Sequence, residues 1–171
     1  MANAPQTGRG RPTIGLLIDW LGGRYQSLVW PGVVDAAEER DANLVIFSGR
    51  LLNDPHGFLS QSNSLYELIS AQNLDGLVIL SGNLTQYVTS QEFQTFCEHF
   101  SPLPVVSVSI EVPNFPCVLV DNESGMRAVL VHLMEEHGYR RIAFFAGPEF
   151  NEEARQRLAI YQDELARHEI P

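Results

Sequence analysis

The chain alternates short, unbroken apolar runs with stretches in which apolar residues recur every three or four positions. Runs at 13–18, 43–47, 77–80, 105–108 and 117–120 read as five strands, the last of them short. Leu28, Val29, Val33, Ala36 and Ala37 fall on one side of a helix between the first two runs. A cap near Ser27 places Pro31 in that helix's first turn, where its missing N–H costs little. After a polar, turn-rich loop at 51–61, Leu65, Leu68 and Ile69 mark a short helix. Phe93, Phe96 and Cys97 form the apolar side of another, over about 90–99. Met126, Val129, Leu130, Leu133 and Met134 repeat as i, i+3, i+4, i+7 and i+8, with Asp121 or Asn122 as cap, Glu123 in the first turn and Gly138 as stop. The run 142–146 reads as a further strand covered on both faces, and Gly147-Pro148 ends it. Ala154, Leu158, Tyr161 and Leu165 then line one side of a last helix that begins near Asn151.

Strands that alternate with helices predict an α/β fold with a doubly wound parallel sheet and right-handed crossovers. The composition, 44% hydrophobic and 19% charged, suits a soluble globular protein with no membrane partner, and no run approaches the ~18 apolar residues of a membrane span. Arginines near the N-terminus have no apolar segment behind them before the first strand, so no secretory signal is expected and a cytoplasmic location is. Cys97 and Cys117 lack metal-ligand spacing and read as two buried thiols. The formal charge of −10 argues against contact with nucleic acid by this segment.

Open parallel sheets bind ligands beyond the carboxyl ends of their strands. Those ends carry Asp19 and Trp20, Ser48 and Gly49, Ser81, Gly82 and Asn83, Ser107 to Ser109, and Asp121. Polar groups with an aromatic ring suit a sugar or a nucleobase, although strand ends are also polar simply because loops are solvated. His132 and His137 are five apart on a helix and do not share a face as zinc-binding i, i+4 pairs do; His56, His99 and His168 are isolated. No nucleophile elbow, phosphate loop or metal motif is present, so neither catalysis, nor a cofactor, nor a metal is expected.

The central stretch carries a family resemblance. Asp121, Asn122 and Gly125 open it, His132-Leu133 follows, then Gly138-Tyr139-Arg140-Arg141-Ile142-Ala143, then Gly147-Pro148. In this order these elements resemble the ligand-sensing domain of the lactose-repressor (LacI/GalR) family, which has the type 1 periplasmic-binding-protein fold. The resemblance runs from about Thr13 to the C-terminus. It implies a disordered lead-in at 1–11, an N-terminal lobe at 12–120, and the first, incomplete part of a second lobe at 121–171, without the DNA-binding headpiece. It gives Tyr25 as an aromatic ring offered to the ligand, with Trp20 as the alternative, and Arg157 as a residue of the interlobe cleft. Asn151 and Glu153 lie where relatives place further polar contacts. Asp121 contacts the ligand, orients Arg157, or caps the helix. The expected function is a small-molecule sensor that closes on a sugar- or nucleobase-like effector and works as a homodimer. Its output is a fused histidine kinase or diguanylate cyclase; the alternatives are the effector-binding domain of a transcriptional repressor, or a sugar-binding transport protein.

Overall fold

The structure, a computed structural model, describes residues 10–170. Most of the expected lead-in at 1–11 therefore lies outside the described residues. The chain divides into two compact units, Met1–Val118 and Leu119–Pro171.

The first unit is a five-stranded, wholly parallel sheet in the order β2-β1-β3-β4-β5. Its strands are β1 (Thr13–Ile18), β2 (Asn43–Ser48), β3 (Gly76–Leu80), β4 (Val105–Val108) and β5 (Cys117–Val118). In the central strands β1 and β3, cover on both faces of the parallel sheet buries consecutive side chains, whereas β2 alternates and β5 is exposed at the edges. Leu16, Leu17 and Ile18 of β1, and Leu77, Ile79 and Leu80 of β3, are accordingly all buried. Helices α1 (Gln26–Glu39), α2 (Ser81–Leu84) and α3 (Ser90–Glu98) supply the cover. Thr89 begins α3 with a capping box: its hydroxyl accepts from the Glu92 amide at 3.2 Å, and the Glu92 carboxylate accepts from the Thr89 amide at 2.7 Å. Phe93 and Cys97 then pack against Leu17, Ile79 and Leu84 in the main core.

Several boundaries differ from those expected. Helix α1 begins at Gln26, one residue before the expected cap at Ser27, and Pro31 consequently lies inside it, beyond the first turn. Of the expected inward face, Ala37 is buried and Val29, Val33 and Ala36 are half-buried, whereas Leu28 is 77% exposed and Gln26 is buried in its place. The segment Leu59–Leu68 is a 3₁₀-helix in which Tyr66, not Leu65 or Leu68, is buried. Strand β5 stops at Val118, because β4 offers partners only at Ser107 and Val108; Leu119 and Val120 are exposed. Cys97 is buried as expected, but Cys117 is exposed on this edge strand.

The second unit contains α4 (Asn122–Val131), a π-helical turn over His132–Glu136, and α5 (Glu152–Arg167). Leu130, Met134 and Ile170 form its core, with Met126, Ile142, Tyr161 and Leu165 packed around them. Val129, expected on the inward face of α4, is exposed. The apolar run 142–146 forms no strand, and Phe145 is 99% exposed. A strand needs a partner for its N–H and C=O groups, and among the described residues of this unit there is no strand to supply one.

Candidate functional site

Strand order sets where the first unit can hold a ligand. From β1 the chain passes to β2 on one side, and β3 occupies the other, so the connections diverge between β1 and β3 and leave a crevice at their carboxyl ends. Asp19 follows β1 directly and is 8% exposed. The Gln26 side-chain amide donates to both of its carboxylate oxygens, at 3.0 and 2.9 Å. Gly23 makes room for this lock: a Cβ there would lie 1.9 Å from the Gln26 side-chain oxygen. The Tyr25 hydroxyl shares a 2.5 Å hydrogen bond with the Ser109 hydroxyl, just past β4. Since β3 lies between β1 and β4, this bond spans the carboxyl end of β3.

Beneath it, the Ser81 and Ser107 hydroxyls lie 2.8 Å apart, both buried. Ser107 also donates to the Ile110 carbonyl at 2.6 Å, which uses its single proton; Ser81 therefore donates to Ser107, with the 3.2 Å contact to the Ile79 carbonyl as its weaker choice. Ser109 adopts φ 76°, a left-handed conformation uncommon for a residue with a Cβ. Such strain persists only where surrounding contacts hold it, and it is frequent at binding sites. Asn83 is half-buried in α2. Trp20 is 52% exposed; its ring folds back over Gly22, where a Cβ would meet it at 2.8 Å, and the Arg50 guanidinium lies 5.9 Å from the ring centre.

Tyr66 holds the β1 and β2 ends together, a role the sequence did not disclose. Its hydroxyl reaches the Ile18 carbonyl at 3.3 Å and the Arg50 carbonyl at 3.0 Å. Burial, reinforced by the negative charge of Asp19, raises its pKa well above the ordinary phenol value. Gly49 permits this, because a Cβ at that position would fall 2.4 Å from the Tyr66 ring. Asn63 completes the frame, accepting from the Arg50 amide at 2.7 Å and donating to the Leu51 carbonyl at 3.1 Å.

In the second unit, Arg157 donates to the Asn122 side-chain oxygen at 2.8 Å and approaches Glu153 at 3.5 Å. Asn122 in turn donates to Gln156 at 3.3 Å. The other Glu153 oxygen is buried with no hydrogen-bond partner among the described residues. Asp121 caps α4 by accepting from the Ser124 amide at 3.0 Å, and that hydrogen bond holds its carboxyl below the usual range. Asn151 caps α5 in the same way, at 2.9 Å from the Ala154 amide. Asn122, which sequence reasoning treated only as a possible cap, is the direct partner of Arg157. Arg127 joins α4 to α5 through Glu123, Asp163 and Glu164.

His132 and His137 correct the sequence reading: their Nε2 atoms lie 3.1 Å apart, because the π-turn brings residues five apart onto one side. His168 is not isolated either, with Nδ1 2.9 Å from the Glu164 carbonyl oxygen and Nε2 3.2 Å from Glu135. Among the described residues no group of three or more His, Cys, Asp or Glu is placed to hold a metal ion. None of the described helices is long and apolar enough to cross a membrane.

No protein-family model matches the chain, and no curated protein matches it. Solved structures do. The transcriptional repressor AscG of Escherichia coli is similar over 93% of this chain and 55% of its own, at 21% identity and a TM-score of 0.68. The Lac repressor bound to ONPG in its repressed state is similar over 99% of this chain and 50% of its own, at 20% identity and a TM-score of 0.72. A periplasmic binding protein/LacI transcriptional regulator from Alkaliphilus metalliredigens QYMF, complexed with D-xylulofuranose, is similar over 93% and 54%, at 18% identity and a TM-score of 0.65. The chain thus spans about half the length of the solved structures it matches. Its fold is the α/β, periplasmic-binding-protein-like fold of the LacI-family regulators.

Proposed function

We propose that this chain is the small-molecule-sensing part of a bacterial transcriptional regulator of the LacI type, and that it is not an enzyme. One observation carries the reading. At the β1/β3 switch point, the Tyr25 and Ser109 hydroxyls satisfy each other across the end of β3, beside the buried acid Asp19. Groups that bond one another without a ligand are ready to exchange partners when one arrives. The Trp20 ring, half-exposed in the loop after β1, is the proposed stacking face. A polar ring compound, a sugar or a nucleobase, matches one aromatic face with several fixed hydrogen-bonding groups.

Tyr25, Asp19 and Ser109 are the proposed primary contacts, with Trp20, Ser81 and Asn83 around them. Within the second unit, Arg157 and Glu153 are proposed as ligand-binding residues on the family resemblance alone, and Asp121 and Asn151 as residues whose caps keep that unit in shape. Binding acts by favouring whichever conformation the ligand prefers, so its leverage equals its differential affinity for the two. Of the outputs expected from sequence, repressor action is supported by the likeness to AscG and the Lac repressor, and a homodimer by the likeness to the Lac repressor dimer bound to operator. No observation favours a kinase or cyclase.

Thermal-shift screening of a sugar and nucleobase panel, followed by calorimetry, tests the reading. A hit whose affinity falls roughly two- to tenfold in Tyr25→Phe, where a neutral hydrogen bond is lost, or roughly ten- to a hundredfold in Asp19→Asn, where a charged one is, supports it. A hit equally tight in both variants places the site elsewhere.

A further inference from the structure

We propose that His132 and His137 form a two-imidazole chelate for a borderline divalent transition-metal ion such as Ni2+ or Zn2+. The proposal is independent of effector sensing. At 3.6 residues per turn, positions five apart on an α-helix stand about 140° apart around the axis and cannot share a ligand. The π-turn over His132–Glu136 removes that obstacle. It leaves the two rings at 90° with centroids 4.7 Å apart and their Nε2 atoms 3.1 Å apart.

That separation is the bite a metal requires. With metal–nitrogen bonds of ~2.0–2.1 Å, two nitrogens lie ~2.9 Å apart at a right angle and ~3.3 Å apart at the tetrahedral angle. The observed 3.1 Å falls between the two. The turn is also fixed in place. Gly138 closes it at φ 67°, the Tyr139 amide donates to the Leu133 carbonyl at 3.1 Å, and the His137 ring stacks on Tyr139 at 5.4 Å and 14°. An ion would therefore meet rings already oriented for it, which lowers the ordering cost of binding.

Without metal, one imidazole donates Nε2–H to the other's Nε2 lone pair. In the chelate both Nε2 atoms give lone pairs to the ion. The donor's Nε2 proton leaves to solvent, and solvent supplies one to its Nδ1, so both rings remain neutral. Both histidines are exposed, so water can fill the remaining positions. Imidazole favours Ni2+, Zn2+ and Cu2+ over Mg2+ and Ca2+, which prefer oxygen.

The test uses the 171-residue chain. Calorimetric titration with Ni2+ alone, and with Zn2+ alone while the histidine ring resonances are followed, should show one ion per chain. Zn2+ should move the His132 and His137 resonances together. His132→Gln and His137→Gln should each weaken uptake by about tenfold or more, roughly 1.4 kcal/mol. His56→Gln and His99→Gln should leave it unchanged, with circular dichroism confirming that all four variants are folded. Uptake that survives both His132→Gln and His137→Gln, that falls equally in His56→Gln, that is missing at millimolar metal, or that needs two chains per ion would overturn the chelate.

Discussion

Gln26 spends its side-chain amide on both carboxylate oxygens of Asp19, and both residues are buried. A buried acid with its donors removed bears the desolvation cost alone. Gln26→Ala should therefore lower the unfolding free energy of the first unit by ~1–3 kcal/mol in urea titrations. Combining it with Asp19→Asn should recover part of that loss, since the uncompensated charge is then gone. A strictly additive double-mutant cycle would show that the two residues do not act as a pair.

Tyr66 offers a test of the frame beneath the site. Tyr66→Phe removes the donor to the Arg50 carbonyl and the weaker one to the Ile18 carbonyl, which keeps the Gly49 amide at 3.0 Å, and should cost ~0.5–1.5 kcal/mol. Gly49→Ala should cost more, because its methyl would meet the Tyr66 ring 2.4 Å away and the ring is held on several sides. Chemical denaturation of both variants ranks the two effects; the reverse order would mean that the ring moves aside freely.

The cysteines should separate cleanly in reactivity. Burial, with a smaller contribution from Glu98, pushes the Cys97 thiol up to about 12, whereas Cys117 is open to solvent. Mass spectrometry after brief alkylation at about pH 8 should find the label on Cys117 and none on Cys97 until the protein unfolds.

His168 makes part of the second unit's stability depend on pH. The hydrogen bond from its ring to the Glu164 carbonyl, then its contact with the Glu135 carboxylate, raise its pKa above the ordinary 6.5. The folded state thus favours the protonated ring. This contribution is complete below 6.5 and disappears as pH climbs through the raised folded value. Stability measured across that window should fall less steeply in His168→Asn than in the wild type; parallel curves would contradict the assignment.

Phe145 gains nothing from its surroundings at 99% exposure. Phe145→Ser should keep stability within about 0.5 kcal/mol while reducing the binding of apolar dyes and any self-association.

Much of this architecture was legible in the order of residues, for physical reasons that differ by element. β1 and β3 announce themselves because burial on both faces demands unbroken apolar runs. Helix α3 was legible from Phe93, Phe96 and Cys97, while the capping box of Thr89 and Glu92 that starts it went unread. Gln26 was obscure, since an amide beside Tyr25 has no periodicity and its worth depends on Asp19 folding back towards it. The run 142–146 shows what patterning cannot decide: it registers the capacity to be covered, but a strand exists only where another strand pairs with it. The histidine pair was misread because a period of 3.6 was assumed through a turn that widens. Candidate contacts at strand ends followed from the switch-point rule, yet the Tyr25–Ser109 bond joins positions 84 apart and had no local signature.

The position of β1 between β2 and β3 also governs when the sheet can assemble. Its pairings are Thr13 with Asn43 and Ile14 with Gly76, and the Thr13 amide bonds Asp75 across 62 residues. No pair of neighbouring strands here can zip from a tight hairpin, and the ladders of β1 with β2 and β3 and of β3 with β4 each wait for a long connection to close. Folding should be slow for a unit of this size. During synthesis from the N-terminus, β1 and β2 would remain open along one edge until Gly76–Leu80 has emerged. A pause in translation before that point would hold a sticky two-stranded ribbon in the crowded space outside the ribosome, exactly where a chaperone that shields strand edges would matter most.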